Sequence, residues 1–116
     1  MQYLLALYED HSVYQDEQAW QDFIKAHMAY GEALAKAGVI RGGEGRAGPE
    51  TAKTLRRMKD QTSVHDGPYV EMQEQLGGFY IIEVDTMDAA LEWAAKVPFL
   101  ANGSVEVRPC IAGPSD

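Results

Sequence analysis

Two short runs carry apolar residues on both of their alternating faces. In YLLALY, residues 3 to 8, Tyr3, Leu5 and Leu7 oppose Leu4, Ala6 and Tyr8. In GFYIIEV, residues 78 to 84, Phe79 and Ile81 oppose Tyr80, Ile82 and Val84. A period of two without a polar face marks a strand buried on both sides. Between these runs the period lengthens. Asp16 is placed to cap a helix over 17 to 37, with Gly38 as the residue that ends it. Trp20, Phe23, Ile24, Gly31 and Leu34 keep helical spacing, and His27 falls within that stripe. The histidine is therefore expected to point inward, and Gly31, one turn on, to let the helix approach the sheet closely.

The remaining elements read more briefly. Val39 and Ile40 suggest a short strand before a glycine-rich loop, GGEGRAG, and residues 51 to 58 and 62 to 65 pair around a turn at 59 to 61. Asp66-Gly67-Pro68 then breaks the sheet, because proline cannot donate to a ladder and glycine permits positive φ. A polar excursion over 69 to 76 follows. Thr86 caps a second helix over 87 to 97, with Met87, Ala90, Leu91 and Ala94 as its apolar positions, and Pro98 ends it. In SVEVRP, 104 to 109, Val105 and Val107 face inward and Glu106 and Arg108 outward, and the GPSD tail is expected to fray.

This order predicts an α+β fold, a ferredoxin-like split βαβ with an antiparallel sheet and two helices on one face. The two central strands then present large apolar side chains on the face the helices cannot reach. Each contributes roughly 1.5 to 3 kcal/mol when buried, against a domain stability of about 5 to 15 kcal/mol. A homodimer packed sheet to sheet is the expected remedy.

Composition narrows the function. At 116 residues the chain fits one domain, and 46% apolar residues suffice for a core. A formal charge of −8 argues against nucleic acid as a partner. The basic group Lys53, Arg56, Arg57 and Lys59 is flanked by Glu50 and Asp60, so a solvated hairpin is the simpler reading. A single cysteine, Cys110, excludes an intrachain disulfide and suits a reducing cytoplasm. MQYLLALYEDH is too short an apolar run for a signal peptide or a membrane span.

Motifs add little. GEGRAG, residues 43 to 48, matches G-x-G-x-x-G, but Pro49 and a strand-like run stand where the dinucleotide motif needs a helix. His11, His27 and His65 lack metal-ligand spacing. No metal and no cofactor are expected. Asp66, held by a Gly-Pro turn, is the natural carboxylate to orient His27 as an acid/base pair. Tyr8, Gly67, Pro68 and Tyr69 would line the adjoining ligand pocket, with Tyr3, Tyr80 and Trp20 as further aromatic candidates. The same residues also admit a plain structure: an Asx-turn at Asp66, a core histidine bonded to a carbonyl, and aromatics that fill the core.

DGPYVEMQEQLGGFYIIEV, the LEWA helix and the closing GSVEVRP together resemble the DGPF-type branch of the YCII-related family. YLLALYED, the His27 helix and AGVIRGGEG are similar as well, so the likeness spans nearly the whole chain. The resemblance implies a ferredoxin-like fold paired into a dimeric α+β barrel. It implies an active site of a histidine, here His27, and the motif aspartate, here Asp66. It further implies lyase or dehydrohalogenase-type chemistry on small aromatic substrates or, alternatively, a regulatory role beside a sigma factor of the extracytoplasmic-function type. Tyr69 stands where the motif has Phe, and Gln73 where a Lys is expected, which removes a cation from that loop. Two functions are thus in view: a small cytoplasmic enzyme using His27 and Asp66 for proton transfer or elimination, and a dimeric sensing module that binds a small molecule or partner without turnover.

Overall fold

A computed structural model describes residues 1–12, 16–45, 49–69, 74–99 and 102–111. Its elements are β1 (Gln2–Asp10), α1 (Glu17–Lys36), β2 (Ile40–Gly45), a 3-10 turn (Pro49–Thr51), β3 (Lys53–Met58), β4 (Gln61–Asp66), β5 (Glu74–Glu83), α2 (Met87–Ala94) and β6 (Gly103–Pro109). Four strands form an antiparallel sheet in the order β2-β5-β1-β6, the ferredoxin-like arrangement expected from the sequence. Among the described residues β3 and β4 pair only with each other, as a separate two-stranded ribbon.

The helices form where their caps stand. Asp16 accepts from the Ala19 amide at 2.9 Å, and Thr86 accepts from Ala89 at 3.1 Å. Gly38, at φ 73, closes α1 in the left-handed conformation expected of it. α2 is shorter than its pattern suggested and ends at Ala94, with Val97 buried beyond it.

One face of the sheet carries the core. Tyr3, Leu5 and Leu7 of β1 lie opposite Ile82, Tyr80 and Gly78 of β5, and Val105 and Val107 of β6 flank them. Tyr30 and Leu34 of α1 and Ala90 of α2 complete that layer. Tyr30 was absent from the predicted stripe, whereas Trp20 and Ile24, both in it, are exposed. The buried positions of α1 sit one step around the helix from where the aromatic count placed them.

Two glycine readings change. The stretch expected as a loop enters the sheet as edge strand β2, where a Cβ on Gly43 would lie 2.7 Å from the Phe79 carbonyl. Gly43 is thus needed for close backbone approach, at φ 151. Gly31, by contrast, faces open space, so it is not what brings α1 to the sheet. Parts of the GEGRAG match, Gln73, half of the polar excursion and the GPSD tail lie outside the described residues.

Candidate functional site

His27 sits on the inner side of α1, half-buried, with both ring nitrogens engaged. Nε2 is 3.0 Å from the Pro98 carbonyl and Nδ1 is 2.9 Å from the Tyr80 hydroxyl. A carbonyl only accepts, so Nε2 carries the proton and donates it. Nδ1 is left as an acceptor, and the Tyr80 O–H donates to it. The elements that fix this arrangement are distant in sequence: α1 supplies the ring, the centre of β5 the hydroxyl, and the turn after α2 the carbonyl. Pro98, predicted only to stop a helix, presents the group that sets the tautomer.

Aromatic rings enclose the pair. Phe23 packs on the imidazole with centroids 4.4 Å apart, and Trp20 stacks on Phe23 at 5.6 Å. The planes of the imidazole and the Tyr80 ring are nearly parallel, 5° apart. Tyr30 meets Tyr80 edge-on at 5.2 Å and donates its hydroxyl to the Trp93 carbonyl at 2.7 Å. Desolvation dominates the electrostatics of this cluster. It pushes the His27 pKa below its usual value, and the bond to the Pro98 carbonyl opposes this only in part. Burial likewise raises the Tyr80 and Tyr30 hydroxyls above the ordinary tyrosine range. At neutral pH the site is an uncharged imidazole bonded to an un-ionised phenol.

Asp66 is elsewhere. It ends β4 on the ribbon, 85% exposed, with its carboxylate 2.7 Å from Lys53 Nζ across the strand pair. Neither His27 nitrogen is directed at it, so one chain does not bring the two residues together. The reason is topological: the Gly-Pro turn was read as the end of a sheet strand, but the strand it ends belongs to a ribbon apart from the sheet that α1 covers. Gly67, at φ 103, anchors the ribbon base instead, its amide donating to the Ala52 carbonyl at 2.7 Å. Its own carbonyl accepts from the Thr54 hydroxyl at 2.9 Å. Pro68 is half-buried beside it, and Tyr69 is exposed beneath the Arg56 guanidinium, 5.8 Å from the ring centroid.

Tyr8 also parts from His27. Alternation along β1 sends Leu5 and Leu7 toward the helices and Tyr8 to the opposite face, across from Leu76 and Ser104. Of the aromatic candidates, Tyr80 alone bonds to the imidazole. A further pair escaped the sequence reading. Glu9 is buried, and the space where Gly77 lacks a Cβ holds its Oε1 at 2.8 Å and the His11 ring at 3.2 Å. A charged residue in an otherwise apolar strand, two positions before a histidine on the same face, was the available signal.

Among the described residues no cluster of three potential metal ligands occurs, and no helix is long and apolar enough to cross a membrane. Comparison with known proteins gives a consistent match. The family model of the YCII-related domain covers residues 1–112. An uncharacterized protein of Rhizobium meliloti (strain 1021) is 37% identical over 118 positions, spanning 94% of this chain and 91% of that one.

Proposed function

We propose a function from two premises: the chain belongs to the YCII-related domain family, and its His27 is held as a neutral base against a tyrosine hydroxyl. The reading is a small-molecule site in which His27 accepts a proton through Tyr80. The observation that carries it is the 2.9 Å contact between Tyr80 and Nδ1, with Nε2 fixed by a backbone carbonyl. A ligand proton delivered to the Tyr80 oxygen can move on as the hydroxyl passes its own proton to Nδ1, so the phenol stays intact and no tyrosinate forms. The aromatic surroundings favour a planar or aromatic ligand, in keeping with lyase-type chemistry. Asp66, in this reading, orders the ribbon base through Lys53 and does not orient the imidazole.

The protein would work as a homodimer. The sheet face turned away from the helices bears Leu4, Ala6, Tyr8, Phe79 and Ile81. The chain exposes 8176 Å², where a compact monomer of its mass would expose about 6,300 Å². An excess of about 1,900 Å² is of the order that one partner of an obligate homodimer buries, which supports this reading. A cytoplasmic site of action suits the unpaired cysteine.

Binding of small phenols and aromatic carbonyl compounds, followed by the backbone amide resonances of α1 and β5 in NMR, tests the site. Tyr80→Phe and His27→Gln should each abolish the ligand-induced shifts while the dimer persists. Undiminished binding to both variants would reject it. A second reading is favoured by one fact: both His27 nitrogens are already satisfied within the chain. It makes the protein a dimeric sensor that binds a ligand without turnover and passes the signal to a partner such as an extracytoplasmic-function sigma factor. Ligand recovered chemically unchanged after prolonged incubation supports the sensor; a product supports the enzyme.

A further inference from the structure

The ribbon of β3 and β4 is poorly explained by the chain that carries it. All six residues of β4 are exposed, and the cross-strand pair Leu55 and Val64 is 62% and 60% exposed. Met58, next to the turn, is 61% exposed. A two-stranded ribbon with no packing surface is at best marginally stable in water, so such a ribbon needs a second surface. The chain's radius of gyration is 16.0 Å, against about 13 Å for a compact domain of this length. Its extents of 47 × 44 × 21 Å are those of a flat, open shape.

Charge indicates what supplies the second surface. From Lys53 to Asp66 the ribbon holds four cations, Lys53, Arg56, Arg57 and Lys59, and two anions, Asp60 and Asp66, for a net +2. The whole chain is −8, which leaves −10 for the rest. A basic arm on a strongly acidic body is complementary to another such body. The turn adds to this, because Lys59 occupies the left-handed region at φ 55, where glycine or asparagine is the comfortable residue. A cation is kept at the tip despite the backbone it must adopt. A polyanion such as nucleic acid is the poorer occupant, since the field of the −10 body opposes its approach.

We propose that the β3–β4 ribbon is an arm that docks on the acidic body of a second copy of this chain, reciprocally about the dimer axis. Leu55 and Val64 lie on one ribbon face with Lys53 and Arg57, so apolar contact and charge act together there. Arg56 and Met58 extend the other face at the tip. The inference rests on the dimer proposed above and adds to it a salt-sensitive strap distinct from the sheet-to-sheet contact.

Sedimentation equilibrium at low and high salt tests it, with wild type beside an Arg56→Glu, Arg57→Glu, Lys59→Glu variant. The wild-type dimer should weaken about tenfold or more with salt, whereas the variant, whose arm now repels the acidic body, should be weakened at low salt and tighten as salt screens that repulsion. Carbodiimide cross-linking of mixed isotope-labelled and unlabelled chains supplies a readout that needs no variant: Lys59 should link to carboxylates of the other chain. A variant dimer as tight and as salt-sensitive as wild type, or Lys59 links within one chain alone, overturns the arm and leaves the sheet-face dimer standing. A wild-type monomer overturns both. Should the variant instead lose binding to a single-stranded oligonucleotide while its dimer is unchanged, the ribbon belongs to nucleic acid and the proposal fails.

Discussion

The layer around His27 and the β3–β4 ribbon are built from similar residue types to opposite effect. In the layer, each polar group among Tyr30, Tyr80 and His27 has a partner supplied by another element, and aromatic rings pack between them. In the ribbon, the apolar side chains face solvent and the Lys53–Asp66 ion pair is open to water on both partners. The chain alone accounts for the first region. The second, under the arm proposal, finds its packing surface on another copy, so its contribution should appear in association rather than in folding.

The sharpest break between the regions is expected from truncating one apolar residue in each. Leu34→Ala, at a fully buried position, should cost about 2 to 5 kcal/mol in urea unfolding. Leu55→Ala should leave protomer stability within about 0.5 kcal/mol and weaken the dimer instead. Equal losses of protomer stability from both would show that the ribbon is part of the core, and the comparison would collapse.

Tyr80→Phe probes the layer's polar centre. Removing the hydroxyl takes away the donor to Nδ1 and should cost about 1 kcal/mol. Because that donor stabilises the neutral ring, the His27 pKa should rise in the variant, read from the imidazole proton shifts by NMR. An unchanged titration would mean that the hydroxyl does not set the basicity of the ring.

The pH dependence of folding follows from the same burial. His27 is held below the usual histidine value of 6.5, so between its folded pKa and 6.5 the unfolded chain binds a proton that the folded chain does not. Its contribution is therefore complete above pH 6.5 and declines as pH falls through that window. His27→Gln should flatten the stability profile just below pH 6.5 while leaving the carboxylate-driven loss at lower pH in place. A variant with the wild-type slope there would mean that His27 is not the source of the dependence.

How much of this was legible in the sequence divides along the same line. Asp16, Gly38 and Thr86 act within a few residues of themselves, so α1 and the start of α2 could be placed from local chemistry. Alternation in β1 and β5 gave the two-sided strands. The inward turn of His27 was legible too, and the spacing 23, 27, 30, 34 could have added Tyr30. Its partners could not be read, because Tyr80 and Pro98 stand 53 and 71 residues away and reach it only through sheet order and a turn. The absence of Asp66 from the imidazole within one chain has a related reason: a strand pattern does not say to which sheet a strand belongs. Gly43 shows the limit from the other side, since a run of glycines reads as a loop until a neighbouring carbonyl explains why no side chain fits.

The smallest effect is expected at the residue that the motif makes most conspicuous. Asp66→Asn removes an exposed ion pair with Lys53, and pairs so open to solvent contribute little to folding because water and salt screen them. The unfolding midpoint should not move measurably, nor should the His27 titration, since no His27 contact reaches this carboxylate. What should change is the ribbon base, where Lys53, freed from Asp66, raises the arm's net charge from +2 to +3. If the arm docks on an acidic copy, that added positive charge strengthens the low-salt dimer slightly and steepens its salt dependence. A shift of the His27 pKa in Asp66→Asn would instead mean that the carboxylate of one copy reaches the imidazole of the other, joining in the dimer the two regions that a single chain keeps apart.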